Sequence, residues 1–330
     1  MRFSQALPLR HRALRVRTAG AASRRGRAGR VPPRREPAGS ARGRDARVSR
    51  VLAWLALLAW AAVGSALAPA LGQERIEIPS REGIAGPATL VAFLSKPPGP
   101  GPFPAVVMLH GCGGAYNPQG MLNRRQKQWE AVFLAAGYLV LQLDSFTTRD
   151  IKQICTLSSR PVSAGVGRRR DAYAGLAWLS TRSDVLADRI AVVGWSNGAS
   201  TAVAAMERRI ADASDIRFRA AIAFYPGCRV RDDTYKPAGP LLILSGELDT
   251  WTPPAPCVAM AERARNDGED VQIHLYAGAY HDFDWPGLKP STRSGLPNVP
   301  GGTVTVGVDE PARADALARA PAFLARWLAR

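Results

Sequence analysis

Val192-Val193-Gly194-Trp195-Ser196-Asn197-Gly198 closes an apolar run with a G-x-S-x-G turn, and small residues from Ala199 to Ala205 follow. The order reads as strand, sharp turn and helix. Such a turn holds its central residue in a strained backbone conformation and lifts its side chain clear, so the flanking positions call for glycine, which has no Cβ to clash. Ser196 would then stand at the top of a sheet. The helix starting at Asn197 would aim its free N–H groups and the positive end of its dipole at negative charge growing beside the hydroxyl. Glycine and serine are common, so the motif alone decides little; the strand before it and the helix after it are what point to a nucleophile for acyl transfer.

Outward from this elbow, short apolar runs alternate with helical patterns. Strands are predicted over residues 88–94, 104–109, 138–143, 189–193, 219–224, 241–244 and 271–276, and helices over 126–136, 171–179 and 323–328. Apolar strands separated by helices imply an α/β fold whose central sheet is mainly parallel and covered by helices on both faces. No internal repeat is visible. Residues 96–104 form a Pro/Gly loop, and the Gly-, Pro-, Ser- and Thr-rich stretch 284–308 is either an active-site flap or a surface excursion.

With 330 residues and 46% hydrophobic content, the chain can build a large core. Its net charge of +17 is concentrated at one end: residues 1–50 hold fifteen arginines against Glu36 and Asp45, and the remainder is only mildly basic. No nucleic-acid surface is therefore expected on the globular part, although an Arg-rich tail could bind polyanions non-specifically. Residues 1–50 have almost no large apolar side chains and are expected to be disordered. The uncharged run 51–63, followed by small residues, marks 51–72 as a signal peptide cleaved before Gln73. The alternative is an uncleaved membrane anchor, the one case in which a membrane would be a partner. The upstream fifty residues are abnormal for a signal peptide and fit a true start near Val48; Ser23-Arg24-Arg25 lies too far from the apolar run to act as a twin-arginine signal. The expected organisation is thus an extension, an export segment and one domain over 73–330, in a periplasmic or secreted protein.

All four cysteines, Cys112, Cys155, Cys228 and Cys257, follow the expected cleavage point. An even number in an exported protein suggests two disulfides, with buried free thiols as the alternative. Cys228–Cys257 is the preferred pair because each follows a strand near the same end of the sheet, which leaves Cys112–Cys155. No CxxC pair occurs and histidines are few, so no metal site is expected.

A serine hydroxyl needs a base, and histidine is the usual one. His11 lies in the basic extension and His110 in Leu109-His110-Gly111-Cys112-Gly113-Gly114. His274 sits within an alternating strand and reads as structural, whereas His281 stands just beyond that strand, where a loop can carry it over the sheet edge. His281 is the expected base. The carboxylate that orients it is sought at the C-terminal end of a buried strand, where open α/β sheets place their sites. There, Gly246-Glu247-Leu248-Asp249 offers Asp249, with Glu247 as the alternative. Backbone donors for the oxyanion are expected from Asn197 and from Cys112 in the glycine-rich loop.

Taken together, these segments resemble the dienelactone hydrolase family of α/β-hydrolases. The resemblance rests on His110-Gly111-Cys112-Gly113-Gly114, Leu143-Asp144-Ser145-Phe146, the elbow, Phe224-Tyr225-Pro226-Gly227-Cys228, Gly246-Glu247-Leu248-Asp249-Thr250-Trp251-Thr252-Pro253 and Tyr280-His281-Asp282-Phe283. It implies the α/β-hydrolase fold, the chain order Ser196, Asp249, His281, and a small-molecule substrate with no cofactor. One departure is that the name-giving members carry cysteine where Ser196 stands, so carboxylic esters or lactones in general, cleaved through an acyl-enzyme, are the expected substrates. Alternatives are a peptidase or carbohydrate deacetylase on the same fold, or a non-catalytic binding module that retains it.

Overall fold

The computed structural model describes residues 72–83, 86–228 and 234–329. The Arg-rich residues 1–50, the apolar run 51–63 and the expected export segment as far as Leu71 lie outside the described residues. Eight strands make one sheet in the order β1-β2-β4-β3-β5-β6-β7-β8. They are β1 (Glu74–Gly83), β2 (Gly86–Ser95), β3 (Phe103–Leu109), β4 (Leu139–Asp144), β5 (Val185–Trp195), β6 (Ala220–Phe224), β7 (Leu241–Gly246) and β8 (Val271–Tyr276). β1 and β2 join antiparallel at one edge, and every pairing from β4 to β8 is parallel. The helices are α1 (Arg124–Ala135), α2 (Arg169–Ser180), α3 (Asn197–Ala205), α4 (Arg208–Ala211), α5 (Ala255–Asn266) and α6 (Glu310–Leu328).

Successive strand residues point to opposite faces, and two cores result. Val107, Leu109, Leu141, Val192 and Ile243 pack with Leu176 of α2, Val203 of α3 and Met260 of α5. Val106, Met108, Val140, Val193 and Ile222 pack on the other face with Trp129 and Phe133 of α1 and Phe323 and Leu324 of α6. Because both faces are covered, the central strands are apolar throughout instead of alternating, which is why they were readable as short apolar runs.

Several elements exceed their sequence expectation. α6 begins at Glu310, well before residue 323: its first turns bury only Ala312, Ala316 and Ala320, at a spacing of four but too small to stand out as an apolar run. Asp309 caps it, its side chain accepting the Ala312 N–H at 2.9 Å. The stretch 284–308 contains a two-stranded ribbon, β9 (Ser291–Arg293) and β10 (Val304–Val306), with its own apolar cluster of Leu296, Val299, Val304 and Val306. No described helix is long and apolar enough to cross a membrane. Both disulfides form with the expected pairing, at Cα–Cα separations of 5.0 Å for Cys112–Cys155 and 5.1 Å for Cys228–Cys257.

Candidate active site

β5 enters the elbow at Gly194, and α3 leaves it at Asn197. Ser196 between them has φ 52° and ψ −115°, a region L-residues rarely occupy. Two glycines make the turn possible by close approach. A Cβ on Gly194 would lie 2.2 Å from the Gly198 carbonyl oxygen, and one on Gly198 would lie 2.2 Å from that of Leu109, so α3 can seat on the end of β3 only without them. The Ser196 N–H donates to the Phe224 carbonyl at 2.9 Å, which ties the elbow to β6. Ser196 and Asn197 open on a cavity of about 650 Å³, and Cys112 lines it from the loop after β3. As the first residue of α3, Asn197 has an N–H without an intrahelical acceptor.

His281 is buried, at 1% exposure, and its Nδ1 donates to Asp249 Oδ2 at 2.7 Å. The other carboxylate oxygen of Asp249 accepts the Trp251 and Thr252 N–H groups at 2.8 and 2.9 Å, so the acid is fixed by the turn that follows it. Thr252 Oγ1 lies 2.9 Å from Asp249 Oδ2 and 3.1 Å from His281 Nδ1, and Thr252 also lines the Ser196 cavity. Tyr225, directly after the Phe224 that receives the Ser196 N–H, has its ring 4.5 Å from the imidazole and so links elbow and histidine. Burial by itself would lower the imidazole pKa. The charge and hydrogen bond of Asp249, reinforced by Asp282, outweigh it and hold the pKa above its usual value. Glu247, the alternative acid, is exposed, and His274 lies on β8 with its Nε2 3.9 Å from Asp315 of α6.

Sequence reasoning missed the layer beneath. Arg125 of α1 is buried, donates through Nη1 to Asp282 Oδ1 at 2.6 Å and to the Tyr225 hydroxyl at 2.8 Å, and stacks 4.4 Å from the Trp285 ring. Tyr225 donates in turn to Asp284 Oδ1 at 2.5 Å, while the indole N–H groups of Trp129 and Trp195 both donate to Asp284 Oδ2, at 2.7 and 2.8 Å. Burial favours the neutral form of Asp284 and raises its pKa, whereas at Asp282 the burial cost is overcome by Arg125 and the pKa falls. Trp195, which precedes Ser196, and Asp282, which follows His281, thus belong to one buried polar network. On the opposite side, the buried Arg168 donates to Asn197 Oδ1 at 2.7 Å and to the His110 carbonyl at 2.8 Å, fastening the start of α3 to the loop after β3. His110 itself is neutral: burial, then the Arg168 charge, press its pKa down to about 3, and its ring bridges the Gly111 carbonyl and the Ser145 N–H. Arginine inside or at the start of a helix carries no local signal for such a role.

Among the described residues, no group of three or more His, Cys, Asp or Glu is arranged to hold a metal ion. Residues 90–328 match the family model described as the dienelactone hydrolase family. The chain belongs to that family. It is accordingly a hydrolase acting on esters. Solved structures share its fold at low identity. A protein from Klebsiella pneumoniae solved as a candidate dienelactone hydrolase has 18% identity and a TM-score of 0.57, over 78% of this chain and 98% of that one. Thermogutta terrifontis esterase 2 with bound propionate gives 17% and 0.55, over 78% and 96%. A dienelactone hydrolase-like promiscuous phosphotriesterase from metagenomic libraries gives 16% and 0.54, over 77% and 98%. No curated protein matches the sequence.

Proposed function

We propose that this member of the dienelactone hydrolase family is a serine esterase or lactonase working through an acyl-enzyme. The observation that carries the reading is the strained Ser196 lining the cavity together with a buried His281 whose Nδ1 is already committed to Asp249 at 2.7 Å, the two tied through Phe224-Tyr225 and through Thr252, which lines the same cavity. That bond leaves Nε2 as the basic nitrogen. In this mechanism Nε2 takes the Ser196 proton as Oγ attacks the ester carbonyl, and the Cys112 and Asn197 N–H groups receive the oxyanion. His281 then protonates the leaving alcohol. Water, deprotonated by the same nitrogen, attacks the acyl-enzyme and releases the acid, returning the proton to Ser196.

The cavity walls favour a polar substrate. Ser158, Ser163, Ser200 and Thr252 supply hydroxyls, and Arg160 and Arg169 supply guanidinium groups whose pKa values burial lowers. A short ester or lactone with a polar or anionic end fits these walls better than a long alkyl chain. Labelling with a fluorophosphonate, beside a screen of p-nitrophenyl esters of increasing length, lactones and acetylated sugars, tests the reading. Label should sit on Ser196, and turnover should be greatest for short or polar acyl groups. An unlabelled but folded protein without esterase activity would refute it and leave a binding module.

The domain is proposed to span 73–330 and to act outside the cytoplasm. Two disulfides among the described residues support an oxidising compartment, and the apolar run of 51–63 supplies the export signal. N-terminal sequencing of mature protein should begin near Gln73.

A further inference from the structure

The loop that offers the Cys112 N–H is intrinsically soft. Gly111, Gly113 and Gly114 surround Cys112, a Cβ on Gly113 would meet nothing within 4 Å, and Gly114 has φ +85°. Glycine at three of four positions gives the segment more conformational freedom than any other residue would. A donor that stabilises a developing oxyanion must nevertheless be aimed before the reaction, because its advantage comes from needing no reorganisation. Something has to hold Cys112. On its elbow side the loop rests against Trp195 and Ser196: a Cβ on Gly111 would lie 3.5 Å from the Trp195 carbonyl oxygen and 3.7 Å from Ser196 Cβ. On the far side the restraint is covalent, through Cys155, together with the Ile154 N–H donating to the Cys112 carbonyl at 2.8 Å.

Cys155 is itself firmly anchored. Its N–H donates to the Gln153 side chain at 2.7 Å, and its side chain packs on two small apolar clusters. One contains Cys112, Phe146 and Ile154, and the other belongs to the β9–β10 ribbon with Leu296, Val299, Val304 and Val306. Asn298 of the same ribbon segment donates to the Leu157 carbonyl at 2.9 Å. The second disulfide is placed differently: Cys257 is wholly buried among Val203, Met260 and Ala261 in the core on the α5 face.

We infer that Cys155 is a positioning residue for catalysis, and that the Cys112–Cys155 disulfide aims the Cys112 N–H at the oxyanion, so that opening this one bond disables turnover in a folded protein. The inference rests on the serine-esterase reading above. A dithiol opens it: its two thiols give two electrons and two protons, the S–S bond becomes two thiols, and the reagent closes to its own disulfide.

The test compares wild type, Cys155→Ser and Cys257→Ser by p-nitrophenyl ester kinetics, fluorophosphonate labelling and thermal unfolding. Cys155→Ser should lower kcat roughly 10- to 100-fold, below the roughly 10²- to 10³-fold cost of deleting an oxyanion donor because the N–H is misaimed and not removed, with KM little changed. The acidic limb of its pH profile should stay where it is in wild type, since His281 and Asp249 are untouched. Cys257→Ser should lower the unfolding temperature and keep kcat near wild type. Equal kcat in Cys155→Ser and wild type, or a loss shared by both variants in proportion to their instability, overturns the inference. Should Cys155→Ser fail to fold, wild type titrated with dithiothreitol carries the same test. Peptide mapping assigns which bond has opened, and activity should fall with Cys112–Cys155 and return on reoxidation; activity that follows only Cys228–Cys257 overturns it. If the serine reading itself fails, wild type is unlabelled and inactive, and Ser196→Ala is indistinguishable from it, an outcome separate from all of these.

Discussion

Ser196 adopts a backbone conformation that costs on the order of 1–3 kcal/mol, and the structure keeps it there by packing α3 against β3 through Gly198. In the proposed mechanism it depends wholly on His281, because a serine hydroxyl is not ionised near neutral pH. Ser196→Ala and His281→Ala should each lower kcat roughly 10⁴-fold or more, and the double variant should lose little beyond either single one, since the groups act as a unit. Steady-state kinetics on purified variants check this. The pH dependence follows from the Asp249 contact. Neutral imidazole is the active form, and its pKa lies above the usual 6.5 because Asp249 outweighs burial, so kcat/KM should rise with pH through a limb above 6.5. Asp249→Asn removes the raising influence and should move the limb to lower pH while reducing the rate. Ser196, Asp249 and His281 were visible in the sequence as singular residues at strand ends, in the order that the family resemblance implies. The choice between Asp249 and Glu247 was not, because it is made by the Trp251 and Thr252 N–H groups that grip one acid and leave the other in solvent. Nor were Arg125, Asp282 and Asp284, whose contacts join residues 59 to 157 positions apart and leave no local pattern.

At the level of elements, the site hangs on close approaches between strand ends and the loops that cross them. A Cβ on Gly246, at the end of β7, would lie 2.3 Å from the Ala279 carbonyl oxygen, in the loop that delivers His281. Gly246→Ala should displace that loop and cost activity out of proportion to stability, read as a fall in kcat larger than the fall in folded fraction at the assay temperature. Helix α1 contributes in another way, through Arg125. Removing one partner of a buried ion pair leaves the other charge uncompensated, so Arg125→Met, which strands Asp282, should destabilise the fold by about 3–5 kcal/mol in urea unfolding. Strands β3 to β7 were legible from their apolar runs, and β8 from its alternation of apolar and polar residues. The first half of α6 and the β9–β10 ribbon were not: alanines at helical spacing and three-residue strands inside Gly- and Pro-rich sequence bury too little area per residue to stand out.

Across the whole molecule, the sheet supplies rigidity and, in the proposed mechanism, the loops at the C-terminal ends of its parallel strands supply the chemistry, with one disulfide reaching the cavity through Cys112 and the other fixed in the core through Cys257. The α/β class and the pairing of all four cysteines followed from the sequence, whereas the shape of the cavity did not, because its walls come from segments that approach only in the folded state. One wall is unusual in how it is moored. Ser158, Arg160, Ser163 and Val166 all line the cavity, in a stretch bounded by the Cys155 disulfide and by the buried Arg168. Between those two moorings, neither face of the sheet takes a core residue from it. Replacing residues 158–166 by segments of equal length and different charge, with the buried Val162 kept, should therefore change which esters are accepted, seen as altered kcat/KM ratios across a substrate panel, with unfolding temperatures close to the parent. Heredity can exploit the same independence: mutations confined to this one stretch can explore new diets while the fold and its chemistry are inherited intact.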